Sequence, residues 1–289
     1  MYFLCGLQAN LENIAILANL QNAESSTNLN TKDAYIGFCE SVSGPLGVPH
    51  YPEEQYTVDG KRCEYMTEMF LVDDGLTDIS TTVEPTPLDA RIEALAAVMP
   101  ARRLLRELSP ALSELFDLAI HTIYYNRSIH SGGGSISSLP GVIWLANRKP
   151  WSVIDLTEVL VHEFTHNLIF LDERTHGHYA QHTALANADN FALSAILKRV
   201  RPLDKAFHSL LVAHELLVFR TRIQENATPM AHPPTPVLFQ QTMATAVSVQ
   251  QLIKRKPELV QPRLKSLLDK VFESLYQMKA NTSLGLAAA

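Results

Sequence analysis

His162-Glu163-Phe164-Thr165-His166 holds the residues whose types and spacing are best suited to chemistry. Four residues make about one helical turn, so both imidazoles leave the same face of a helix. Two nitrogens held that way can reach one divalent ion, with Glu163 on the rim of the face. Val159, Leu160, Val161, Phe164, Leu168 and Ile169 make the segment apolar on most sides, which predicts a largely buried helix. A buried helix with two histidines and a glutamate must satisfy them, by a metal or by ordinary hydrogen bonds.

A working site needs a third protein donor and an open position. The metzincin pattern of a glycine turn and a third histidine fails, because those positions hold Ile169 and Asp172. Glu173, His176, His178 and His182 follow closely, in what reads as a polar, solvated loop. Better donors lie on a helix expected over 203–223, where His208 and Glu215 are seven residues apart on one face and His214 points elsewhere. Glu215 would complete the His-His-Glu set of gluzincin peptidases, and His208 an all-histidine set. Spacing alone does not choose between them.

The elements that must position these residues read as α+β, mainly α: a helical metal-binding core with a few short strands and a small α/β N-terminal segment. Residues 9–22 have helical spacing, while the apolar-aromatic runs 34–40 and 62–72 read as strands. The stretch 81–87 is the expected boundary, giving an N-terminal segment of 1–85 and a catalytic domain of 86–289. Helices are expected after Pro87 and Pro110, the second running through Tyr125. Ser131-Gly132-Gly133-Gly134-Ser135 reads as a flexible connecting loop, and 140–146 as a buried strand before the motif helix, 152–171. Helices at 186–200, 203–223, 236–255 and 257–279 complete the chain, with a proline-rich loop at 228–237.

Composition bounds the function. The 289 residues are 46% hydrophobic and 19% charged, as in a globular protein. A net charge of −6 gives no overall basic footprint for nucleic acid or acidic lipid. Cys5, Cys39 and Cys63 form no Cys-x-x-Cys, arguing against a disulfide framework and a cysteine-based zinc site and favouring a reducing cytosol. Neither a signal peptide nor a membrane anchor is expected, since polar residues interrupt the apolar N-terminal stretch.

HEFTHNLIFLDE (162–173) followed by LSAILKRVRPLDKAFHS (193–209) resembles the HExxH-motif peptide-modification proteins, the 2-oxoglutarate-dependent peptide β-hydroxylases. The likeness covers about residues 140–222. It implies an Fe(II)- and 2-oxoglutarate-dependent oxygenase that hydroxylates a β-carbon in a ribosomally made precursor peptide. It also implies His208, after Arg201-Pro202-Leu203, as third ligand beside His162 and His166. An all-histidine site departs from the usual two-histidine, one-carboxylate oxygenase set. The distal carboxylate of the co-substrate needs a cation, for which Lys205, one turn before His208, and Arg201 are the best placed. Arg222 is roughly 20 Å along the helix, too far.

Two rival readings remain. In a zinc peptidase of the gluzincin kind, Glu163 is the general base and Glu215 the third ligand. In a non-catalytic binding module, His162, His166, His208 and Glu215 would close a structural zinc site. Residues 1–85 are a candidate for recognising the leader of a precursor peptide, on their position and strand-like pattern.

Overall fold

A computed structural model describes residues 1–24, 30–44, 55–73, 84–128, 132–146, 151–223 and 231–287. They fall into two compact units, one of Tyr2 and Leu4–Thr175, the other of Met1, Phe3 and His176–Ala289. The expected boundary at 81–87 lies partly outside the described residues, and the units divide the chain elsewhere. The secondary structure is α+β and mainly α. Among the described residues no helix is long and apolar enough to cross a membrane.

The first unit runs α1 (Tyr2–Glu24), α2 (Thr31–Ser43), β1 (Tyr56–Thr57), α3 (Gly60–Asp73), α4 (Leu88–Ala96), α5 (Val98–Leu108), α6 (Pro110–Ala119), β2 (Thr122–Tyr125), β3 (Gly133–Gly134), β4 (Val142–Leu145) and α7 (Val153–His176). The sheet order is β1-β2-β4-β3. β1 and β4 flank β2 in parallel, Thr122 opposite Val142, and β3 is antiparallel to β4. Every residue of β2 and β4 is buried, as central parallel strands covered on both faces must be. Cys63, Met66 and Phe70 of α3 pack on Tyr124 and Trp144, with Phe70 edge-on to Trp144 at 5.5 Å.

Two expected strands are helices. Residues 34–40 lie in α2, started by Asn30, whose side chain accepts the Asp33 N–H. Residues 62–72 lie in α3, where Asp59 accepts the Arg62 N–H at 2.7 Å. Cys63, Met66, Thr67 and Phe70 are buried at helical, not alternating, intervals. The helix expected through Tyr125 stops at Ala119, and β-branched and aromatic residues 122–125 form β2 instead.

The triple glycine is a packed edge rather than a flexible connection. Gly133 has φ +142°, and a Cβ there would sit 2.2 Å from the Trp144 carbonyl oxygen. Only glycine lets β3 come this close to β4.

The second unit begins with short 3₁₀ turns at His182–Ala186 and Ala188–Asn190. The hairpin β5 (Phe191–Leu193) and β6 (Val200–Pro202) follows, then α8 (Leu203–Arg220), α9 (Thr235–Arg255), a turn at Pro257–Leu259 and α10 (Pro262–Ala287). The helix expected at 186–200 is absent. Asn187 binds the Asp189 N–H and Asn190 the Ala184 carbonyl, so side chains compete with helical hydrogen bonding there. The expected proline-rich loop lies partly outside the described residues, and α9 opens at Thr235.

Gly133→Ala should destabilise the protein by at least about 2 kcal/mol, from strain and the carbonyl clash together. Urea denaturation followed by circular dichroism measures it. Gly134→Ala, whose new methyl meets only a Phe70 ring carbon at 3.3 Å, should cost less.

Candidate metal centre

Ser152 opens α7: its hydroxyl accepts the Asp155 N–H at 3.1 Å and donates to the Asp155 carboxylate at 2.6 Å. Gly177, at φ +69°, ends the helix in the conformation that helix termini favour. Between them the helix is buried on most sides. Its half-buried positions past the first turn include His162, His166, Phe170 and Glu173, one stripe at helical spacing. The expected helix over 152–171 is thus present and one turn longer.

The two imidazoles do not diverge. Their ring centres are 5.0 Å apart with planes at 56°, and Phe170 stacks on His166 at 6.2 Å and 22°. Glu163 Oε1 lies 3.9 Å from His162 Nε2. Its Oε2 is buried without a hydrogen-bond partner among the described residues. Burial pushes the Glu163 carboxyl up to about 8, opposed by the Ser135 hydroxyl. A cation beside it would draw the same carboxyl back toward its charged form. Two imidazoles on one face are two of the donors that a divalent ion needs, and Glu163 lies beside the first of them.

Asn167, the residue after the motif, is one that sequence reasoning passed over. It is buried, and its Oδ1 accepts the Gly141 N–H at 2.7 Å. Its Nδ2 donates to Ser135 Oγ at 3.0 Å and to the Glu163 carbonyl at 3.1 Å. Ser135 in turn donates to that same carbonyl at 3.2 Å. A polar residue on the buried side of an apolar helix was the available signal. Its partners, 26 and 32 residues away, were not readable.

Among the described residues, no group of three or more His, Cys, Asp or Glu side chains is poised to hold a metal. His208, Glu215, Lys205 and Arg201 belong to the second unit. His208 is buried on α8. Glu215 is already engaged: Oε2 accepts the Phe3 N–H at 2.8 Å and lies 3.4 Å from the Met1 ammonium. Burial alone would raise its carboxyl, but the ammonium, His214 and the Phe3 amide outweigh that and lower it to about 2. His214 pairs with Ser274 Oγ at 2.8 Å. Arg201 stands in β6 opposite Ala192, two residues before α8 begins rather than at its start. Lys205 is partly exposed, 3.8 Å from Asp204. Of the following cluster, His178 is not solvated but fully buried, edge-on to Phe207 at 6.0 Å.

Compared with models of known protein families and with curated proteins, the chain matches none.

Asn167→Ala should lower stability by about 1–3 kcal/mol, because the Gly141 N–H loses its acceptor in a buried place. Asn167→Asp keeps that acceptor but sets a carboxylate against the Val142 and Glu163 carbonyls, and should destabilise as well. Urea midpoints of the two variants check this.

Proposed function

We propose that the chain is an Fe(II)- and 2-oxoglutarate-dependent oxygenase that hydroxylates a β-carbon of a ribosomally made precursor peptide. His162, His166 and His208 are its proposed metal ligands. The observation that carries the reading is the pair of imidazoles sharing one half-buried stripe of an otherwise buried helix. The resemblance through HEFTH and Arg201-Pro202-Leu203 to His208 gives it its oxygenase form.

When bound, Fe(II) with 2-oxoglutarate would supply the activation of O₂, which is the oxidant: one oxygen atom goes to the peptide β-carbon and the other to the keto acid, which leaves as succinate and CO₂, while the protein orients and shields. Asn167 and Ser135 fix the motif turn against β4, and so the direction in which His162 and His166 point. Phe170 lies near-parallel to His166 with ring centres 6.2 Å apart, an apolar neighbour on the same stripe. Lys205 and Arg201 are the proposed cations for the distal carboxylate of the co-substrate. Glu163 has no obligatory proton to move in this chemistry and would orient a ligand or the peptide.

One observation favours a second reading, a zinc peptidase. A buried glutamate beside His162, with one oxygen lacking a hydrogen-bond partner among the described residues, is placed as a general base would be. There Glu163 would take a proton from the attacking water and deliver it to the leaving amine.

Anaerobic protein given Fe(II) and 2-oxoglutarate should develop a weak visible charge-transfer band. His162→Ala, His166→Ala and His208→Ala should each abolish the band and stoichiometric metal binding. Lack of the band, with stoichiometric zinc and peptide cleavage in the isolated protein, would overturn the oxygenase. Glu163→Gln separates the two readings further: a peptidase loses turnover while keeping its metal, and an oxygenase retains the band and measurable turnover.

A further inference from the structure

The β5–β6 hairpin presents an edge that neither reading of α7 uses. Ser194 N–H donates to the Arg199 carbonyl at 2.9 Å, which makes 194 and 199 a hydrogen-bonded pair. Antiparallel ladders alternate, so the next pair, Leu193 opposite Val200, turns its N–H and C=O groups outward. On the β5 side the outward Leu193 N–H is taken by Ser248 Oγ of α9 at 3.0 Å, so α9 covers that edge. On the β6 side the N–H and C=O of Val200 face away from the hairpin, and its side chain is 65% exposed.

The turn beside it is exposed through Leu197 (43%), Lys198 and Arg199. Lys198 holds φ 54°, with its N–H on the Ser194 carbonyl at 3.0 Å, so the turn is a defined one. In a chain of net charge −6, the stretch 195–200 carries Lys198 and Arg199 and no acidic residue. Exposed aliphatics, exposed cations and one outward pair of backbone groups therefore meet on one short edge.

We propose that this edge docks an extended peptide segment rich in acidic and aliphatic residues, which adds to β6 as a third strand. Val200 gives the incoming strand one donor and one acceptor. Leu197 and Val200 bury its aliphatic side chains, and Lys198 and Arg199 pair with its carboxylates. Pro202 has no N–H to offer, so the register is one residue pair long and specificity rests on side chains. A second copy of the hairpin is a poor occupant, because Lys198 and Arg199 would face their own like charges. The inference is independent of the chemistry assigned to α7.

The test is fluorescence anisotropy of the full-length protein with a labelled dodecapeptide of alternating glutamate and valine, against a lysine-valine counterpart. The acidic probe should bind saturably and more tightly than its counterpart. Lys198→Glu with Arg199→Glu should weaken it at least tenfold, an electrostatic loss that added salt reproduces in wild type. Val200→Pro removes an N–H that the hairpin does not use, and proline is tolerated at such outward edge positions. It should weaken the probe without shifting the thermal midpoint. Should Val200→Pro fail to fold, the paired charge reversal, at two exposed turn positions, still decides the matter. Equal binding of the two probes, or a charge-reversed variant that binds as wild type, overturns the proposal. So does binding to phosphatidylserine vesicles that Val200→Pro leaves unchanged, since a lipid surface needs no strand hydrogen bond.

Discussion

Burying polar groups on α7 is the constraint around which the first unit is built. A helix buried on most sides cannot leave polar side chains without partners, because each loses its water. Thr157 donates to its own helix at the Val153 carbonyl and reaches the Ala101 carbonyl of α5 at 3.3 Å. Thr165 donates back to Val161 at 2.8 Å. Asp172 accepts from Asn13 of α1 at 3.1 Å, and Asn167 ties the helix to β4. Thr157, Asn167 and Asp172 thus join α7 to three different neighbours while Thr165 is satisfied within the helix, and apolar contacts such as Phe116 on Phe164 at 5.1 Å fill between them.

Against that background the Glu163 carboxyl stands out, since one of its oxygens has no such partner among the described residues. The other carboxylate oxygen lies 3.9 Å from His162 Nε2, at the rim of the half-buried stripe that carries both imidazoles.

Much of this was legible in the sequence, and the losses have identifiable causes. The motif helix and helices α8, α9 and α10 were readable because long amphipathic or apolar stretches declare themselves by period. Segments α2 and α3 carry aromatic and β-branched residues that suit strands, but their spacing is helical. The interval from Cys63 through Met66 and Thr67 to Phe70 already stated the helix. The region 186–200 has helical apolar spacing, but Asn187, Asp189 and Asn190 draw its backbone into turns. At the site, the imidazole pair followed from local geometry. Ser135 and Asn167 did not, because a contact across 32 residues has no local signature.

The reach of Asn167 has a consequence for how the protein matures. An isolated peptide with the α7 sequence would carry both histidines but not the Gly141 and Ser135 contacts that steady the turn between them. Those contacts form only when the β3–β4 ribbon has docked, a step that closes a chain loop and is slower than helix growth. Under the metal-binding reading proposed above, ion capture with native geometry would report completed tertiary assembly, and a nascent chain would stay a weak ligand until its sheet is in place.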